Sequence, residues 1–286
     1  MTPPVERRLA VGWGELGALA WARPGRPRAL CLHGWMDNAA SFSPLAAQLP
    51  TLDLVALDYA GHGRSDHRPA GCHYHFADYV FDVDAALDAL GWDRCLLIGH
   101  SLGTGVALSY TCSDPARVTA VVLLDGLGVM TEAPELLPAR MARSLRSVRN
   151  PRVHRRIYPD LEAAANVRVA NNPMHESSAR LLAERALEAV PGGYRWRTDG
   201  RAMWTSPAYL TEPQSSALMG ALECPGLAVY TDTLERYLGE RLALRLQAMP
   251  GLRAMRVEGG HHVHMDDPAS LAGSILDFID HLEPPT

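Results

Sequence analysis

A single α/β domain with a mostly parallel sheet, interrupted by a helical insertion, is the fold class the sequence predicts. Three observations carry that expectation. Short apolar runs alternate with helix-period segments through the first 125 residues. Strand patterning stops between residues 128 and 222. It then resumes ahead of a final amphipathic helix. Alternation of this kind builds βαβ units, whose crossover helices cover a parallel sheet.

Taken in order, Arg28–Leu32 (RALCL) and Leu52–Leu57 (LDLVAL) read as the first buried strands. Their near-continuous apolar character suits strands covered on both faces. Phe76, Val80, Val83, Leu87 and Leu90 recur at intervals of four and three, which is one face of a helix. Cys95–Ile98 (CLLI) and Val118–Leu124 (VTAVVLL) are the next strands. From Gly128 to Leu222 the pattern offers helical stretches and loops and no convincing strand. Leu227–Tyr230 (LAVY) and Leu252–Val257 (LRAMRV) restore the strand pattern. The last helix has Pro268 in its first turn, and Leu271, Ile275, Phe278 and Leu282 form its apolar face. The expected organisation is a first core part over residues 1–127, a helical cap over 128–222 and a second core part over 223–286.

The 286 residues, 47% hydrophobic and 21% charged, are enough for one large core of ordinary globular composition. A net charge of −5 gives no general attraction to nucleic acid or to an anionic membrane. The five cysteines contain no close pair, so they suggest small core residues in a reducing compartment, not a disulfide framework or a zinc site. The N-terminus MTPPVERRLA has no apolar h-region, and nowhere do 18 apolar residues run together. A cytoplasmic protein without a membrane span is therefore expected.

The stretch Leu96–Gly103 (LLIGHSLG) carries the chemistry. Four apolar residues run into Gly99, and small residues follow Ser101. Strand, tight turn and helix in that order would force Ser101 into a strained conformation with its hydroxyl above the sheet edge. Such a serine is a candidate nucleophile. The Leu102 N–H would then lie at a helix N-terminus, where a developing oxyanion is favoured. The second oxyanion donor is expected after Arg28–Leu32, in His33-Gly34-Trp35, from the Trp35 N–H. His33 reads as a structural hydrogen-bonder, and His62 as a loop-ordering residue.

Among twelve histidines, His261 in Glu258–Met265 (EGGHHVHM) is the expected base. It follows a late strand, and a loop there can carry an imidazole over the sheet's switch point. The cluster His261, His262 and His264 also raises metal binding. Carboxylate or cysteine ligands at the usual spacing are missing, so no metal is expected.

Together the segments His33–Asn38 (HGWMDN), Asp58–Asp66 (DYAGHGRSD), Gly99–Gly103 (GHSLG) and Glu258–Pro268 (EGGHHVHMDDP) resemble the α/β-hydrolase superfamily. Gly193–Arg201 and Thr211–Gln214 are also similar to the group called serine hydrolase-like proteins. The resemblance implies an eight-stranded, mostly parallel sheet with a helical cap after strand six, and a triad in the order serine, acid, histidine. Members often carry the acid after the seventh strand. Here that region holds Thr231 at the expected glycine and Leu234 at the expected aspartate. Some relatives carry the acid after the sixth strand, where this chain has Asp125, 24 residues beyond Ser101. Asp125 is the expected acid, Asp232 the alternative, and Glu235 a further one. Serine at the nucleophile position speaks against halide or epoxide chemistry.

Arginines 140, 143, 146, 149, 152, 155 and 156 crowd the insertion without an intervening acid. They make a solvated basic face, or a dock on Arg140, Arg143, Arg146 and Arg149 for an anionic group such as an acyl-carrier protein. Trp196, Met203, Trp204 and Tyr209 suit either an acyl pocket or cap core. The expected function is serine hydrolysis of a small-molecule carboxylic ester or thioester through an acyl-enzyme on Ser101. It needs no metal or organic cofactor. The alternatives are a thioesterase acting on acyl-CoA or a carrier protein, a C–C bond hydrolase, and a non-catalytic ligand-binding homologue.

Overall fold

The computed structural model describes residues 3–150 and 156–282. Its strands are β1 (Val5–Val11), β2 (Gly14–Trp21), β3 (Arg28–Leu32), β4 (Asp53–Leu57), β5 (Cys95–His100), β6 (Val118–Leu124), β7 (Leu187–Val190), β8 (Gly193–Trp196), β9 (Gly226–Tyr230) and β10 (Leu252–Arg256). Its helices are α1 (Ser43–Gln48), α2 (Phe76–Leu90), α3 (Leu102–Ser113), α4 (Leu137–Arg149), α5 (Leu161–Asn171), α6 (Glu176–Ala186), α7 (Glu212–Met219), α8 (Asp232–Leu238), α9 (Glu240–Gln247), α10 (Val263–Asp266) and α11 (Ala269–Asp280).

Eight strands form one sheet in the order β1-β2-β4-β3-β5-β6-β9-β10. The pairs from β4 to β10 are parallel, while β1/β2 and β2/β4 are antiparallel. Alternation along each central strand decides which core a side chain joins. Leu30, Leu32, Leu97, Val121 and Leu123 pack on one face with Val83 and Leu87 of α2 and Val106 of α3. Ala29, Cys31, Leu96, Ile98, Val122 and Leu124 pack on the other with Leu45 of α1 and Leu271 and Ile275 of α11. The chain leaves β3 for β4 on one side and later returns to β5 on the other. That reversal is the switch point, where the ends of parallel strands leave a crevice.

Two parts of the sheet architecture escape a reading from apolar runs. The first expected strand begins at Arg28, but the antiparallel hairpin β1/β2 precedes it. Its outer strand is mostly exposed and carries charged residues, as an edge strand does. The segment 128–222 was expected to hold no strand. The correction is the two-stranded hairpin β7/β8, closed by a Pro191-Gly192 turn. Each of its strands has only four residues and is at most half-buried, too short for periodicity to register.

Between β6 and β9 the chain leaves the main sheet. Helices α5 and α6 there have a small core of their own, in which Ala165, Met174, Ala179, Leu182 and Ala183 pack with Met265 of α10. The seam below them is polar. Arg185 on α6 reaches Asp58 and Glu6, and Asn38 Nδ2 donates to the Leu182 carbonyl (2.9 Å). Tyr74 donates to Asp199 (2.8 Å), and Trp35 Nε1 donates to the Ala202 carbonyl (3.1 Å). Trp204 and Tyr209 follow, and Arg140 lies over the Tyr209 ring at 3.6 Å. Arg152 and Arg155 of the expected basic run lie outside the described residues.

Candidate active site

Three non-glycine residues have positive φ among the described residues: Met36 (64°), Ser101 (51°) and Asp125 (44°). L-residues populate that region at a cost, and such strain concentrates where surrounding structure holds a functional group in place. All three follow central parallel strands: Met36 after β3, Ser101 after β5 and Asp125 after β6.

At Ser101 the chain turns from β5 into α3 with no intervening loop. The Ser101 N–H donates to the Leu124 carbonyl (3.0 Å), which ties the turn to the neighbouring strand. The approach of α3 to β3 is so close that a Cβ on Gly103 would overlap the Leu32 carbonyl. This brings the first turn of α3 against the His33–Asp37 loop. Trp35 and Met36 are the central residues of a turn there, closed by Asp37 N–H to the Gly34 carbonyl (3.1 Å). Among the described residues, the backbone N–H groups of Trp35 and Leu102 donate to no protein acceptor.

Ser101 Oγ lies 2.9 Å from His261 Nε2. His261 Nδ1 lies 2.7 Å from Asp125 Oδ2. The other carboxylate oxygen, Oδ1, accepts from the Thr231 backbone N–H and hydroxyl, both at 2.8 Å. Thr231 occupies the position where the resemblance expects glycine, and its hydroxyl is a donor that glycine lacks. Burial alone would raise the Asp125 pKa; the bonds from His261 and Thr231 outweigh it and hold the carboxyl below its ordinary value. Asp125 is therefore an anion that fixes one ring nitrogen of His261 as the donor and leaves Nε2 facing Ser101. The chain of groups can move a proton from a hydroxyl to an imidazole. Asp232 sits at the start of α8, where its carboxylate pairs with Arg236 one turn on. Glu235 pairs with Arg256 at 2.9 Å.

The remaining histidines divide clearly. His33 Nε2 accepts from the Tyr59 N–H (3.1 Å) while Nδ1 donates to the Gly34 carbonyl (2.7 Å). His62 Nδ1 donates to the Ala60 carbonyl (3.0 Å), and burial pushes its pKa down to about 4. Reading from residues alone gave no role to His100, which donates from Nε2 to the His261 carbonyl (2.8 Å). It gave none to Asp37 either, whose Oδ2 lies 3.6 Å from His100 Nδ1 and 3.4 Å from His262 Nε2. These contacts join segments more than 60 residues apart, so no local pattern could announce them. Asp37, His100 and His262 bring one donor atom each within 4.8 Å of one another, the spacing of a metal ligand set. Arg168 already pairs with Asp37, so the charge of that cluster is compensated by protein.

The arginines of α4 behave unequally. Arg140 turns inward and binds Glu132 through two nitrogens at 2.5 Å. Arg143 reaches the same carboxylate at 3.4 Å. Arg146 and Arg149 have no ion-pair partner among the described residues. Leu137, Met141 and Leu145 on the same helix are exposed. No helix among the described residues is long and apolar enough to cross a membrane.

Comparison with known proteins adds a family and a set of relatives. A family model described as alpha/beta hydrolase fold matches residues 27–217. A serine hydrolase-like protein of Danio rerio is 34% identical over 297 residues, covering 98% of this chain and 89% of the relative. A hypothetical protein of Pseudomonas aeruginosa PAO1, known as a crystal structure, is similar at a TM-score of 0.90 and 36% identity, covering 96% of this chain and 99% of its own. The thioesterase domain from the curacin biosynthetic pathway superposes at a TM-score of 0.84 with 26% identity, covering 96% of this chain and all of that domain (100%).

Proposed function

We propose that this chain, which belongs to the alpha/beta hydrolase fold family, is a serine hydrolase that cleaves a carboxylic ester or thioester through an acyl-enzyme on Ser101. The observation that supports this best is the unbroken Ser101–His261–Asp125 chain at 2.9 and 2.7 Å. Both distances are within reach of proton transfer.

In this reading His261 Nε2 takes the hydroxyl proton as Ser101 Oγ bonds to the acyl carbon. The carbonyl π electrons move to oxygen, and the oxyanion is met by the N–H groups of Leu102 and Trp35. Collapse of the intermediate expels the alkoxide or thiolate, which takes the proton from His261 Nε2. A water then gives a proton to the same nitrogen and attacks the acyl-enzyme, releasing the carboxylic acid and restoring Ser101. Asp125 stays ionised throughout and stabilises the imidazolium.

The test is labelling by a fluorophosphonate probe together with turnover of short nitrophenyl esters. Ser101→Ala should abolish both. Asp125→Asn should lower kcat by about 10⁴-fold, as loss of the acid does in other triads, while Asp232→Asn leaves it nearly unchanged. Collapse at Asp232 with little effect at Asp125 would reverse the assignment. A native protein that takes no label and turns over no acyl donor would be a ligand-binding homologue.

A thioester carried on an acyl-carrier protein is a second reading, favoured by one feature. On α4 the apolar Leu137, Met141 and Leu145 are exposed, and so are Arg143, Arg146 and Arg149. Such a surface suits an acidic, amphipathic partner helix. Charge reversal at Arg143 and Arg146 should weaken turnover of a carrier-bound substrate and spare a nitrophenyl ester. Equal loss on both would dismiss the dock.

A further inference from the structure

We propose that Asp37 and His100 are positioning residues through which the inserted segment sets the placement of the His261 imidazole. The inference rests on the relay reading given above. It starts from a weakness in the loop that carries His261. Two glycines precede that residue, and Gly260 has open space around it. Among the described residues the His261 N–H has no partner. Its carbonyl has one, the Nε2–H of His100 at 2.8 Å. The main chain under the imidazole is thus held by the side chain next to the nucleophile.

His100 is itself held from behind. Its ring is buried and lies between His261, His262 and His264, with centroids at 4.8, 5.2 and 4.0 Å. Because Nε2 carries the proton given to His261, the second nitrogen sets the ring's tilt. That nitrogen, Nδ1, has no hydrogen-bond partner among the described residues and faces Asp37 Oδ2 at 3.6 Å. Asp37 is fully buried, and an unpaired carboxylate there would be costly. It is balanced by Arg168, which comes from α5 in the inserted segment. The Arg168 guanidinium pairs with Asp37 Oδ1 and also donates to the Met36 carbonyl (2.9 Å). The next residue, Asn38, ties to α6 through the Leu182 carbonyl.

The chain of contacts therefore runs from α5 to Arg168, Asp37, His100 and the main chain of His261. With Arg168 in place, Asp37 is neutralised and His100 rests where it holds the carbonyl. With Arg168 withdrawn, the bare carboxylate favours the His100 tautomer that carries its proton on Nδ1, facing Asp37 Oδ2. The Nε2–H then leaves the His261 carbonyl, and the imidazole loses its register with Ser101. Seating of the inserted segment, for instance on a bound substrate, becomes a condition for an aligned base.

The experiment is a double-mutant cycle on His100 and Arg168, read by kcat and KM on a nitrophenyl ester and by NMR titration of the His261 imidazole, assigned by its loss in His261→Gln. His100→Leu removes the donor, and a misplacement near 1 Å should lower kcat by about 10²-fold with KM little changed. His100→Gln can place an amide N–H near the lost Nε2 and should recover most of that loss. Arg168→Gln should lower kcat about tenfold, and the double variant should be no worse than His100→Leu alone, because both act on one element. If His100→Leu does not fold, His100→Ala, which also lacks the donor, takes its place in the cycle. Additive losses, an unaltered kcat in Arg168→Gln, or a Gln variant as poor as Leu would overturn the inference. If the native protein takes no fluorophosphonate label, it is the hydrolase reading that fails. The clamp is then still decided by whether Arg168→Gln moves the His261 titration midpoint, and an unmoved midpoint rejects it.

Discussion

The arginines of the inserted segment fall into two regions with opposite fates. Those on α4 beyond Arg140 form a conspicuous run in the sequence and stand at the surface. Arg168 and Arg185 are isolated in the sequence and reach across to the sheet, where each meets a buried carboxylate. Conspicuous charge and consequential charge are thus different things. An exposed guanidinium keeps its water and interacts weakly, whereas a buried one has given up hydration that only its partner can replace.

The largest effect that would test this contrast on stability is Arg185→Met. Arg185 donates to Asp58 from Nε (2.9 Å) and to Glu6 from both terminal nitrogens (2.8 Å). Burial alone would lower its pKa, but Glu6 and Asp58 more than offset that. Removing the cation strands Asp58 without charge compensation at the seam. Urea unfolding should show a loss of about 3–5 kcal/mol. A loss under ~1 kcal/mol would mean the seam is no more demanding than the surface, and the contrast would break.

Proton binding near the seam should give the next effect. Burial holds His62 and His100 near pKa 4, below the ordinary 6.5. Between those values the unfolded chain binds more protons than the folded one. Stability therefore rises with pH across the window, is fully present above 6.5 and is lost as pH falls toward 4. Asp37 and Asp125 are depressed carboxylates, so their contributions fade only below the ordinary carboxylate value, outside that window, while Asp82, raised by burial to about 6, acts with the opposite sign inside it and offsets one of the two histidines. Urea midpoints at pH 7.5, 6 and 5 should fall in that order, and His62→Gln should flatten the trend. A flat native profile would contradict the buried neutral histidines.

The smallest effect belongs to α4. Replacing Arg146 and Arg149 by Gln should change stability by no more than about 0.5 kcal/mol each, since neither has an ion-pair partner among the described residues. A larger loss in thermal melts would place these side chains in contacts like those of the seam.

Much of the fold was legible because its signals are short-range. The strands β3, β5 and β6 are buried on both faces and read as continuous apolar runs. The elbow at Ser101 needs glycine and small residues within a few positions. The helix α2 repeats its apolar residues at intervals of four and three. The hairpins β1/β2 and β7/β8 were less legible, since exposed or four-residue strands lack the apolar contrast that marks a buried strand. At the site, Asp125 and Asp232 each follow the end of a strand; the departures at Thr231 and Leu234 and the spacing from Ser101 favoured Asp125, while the contact with His261 itself left no local mark.

What the sequence determined by itself is therefore local: where strands end in turns, where a serine meets a helix N-terminus, and which residue types are at hand. The tertiary structure alone decided which distant groups meet. Setting β6 between β5 and β9 brings Asp125 against Thr231 and His261, while the start of α8 turns Asp232 toward Arg236. Packing of α5 over the loop after β3 joins Arg168 to Asp37 and, through His100, to His261. Backbone sterics and apolar periodicity act over a few residues and leave their mark in any short window. Charge compensation and hydrogen bonding at the site act across space between residues separated by 106 to 161 positions, so they exist only once the chain has closed.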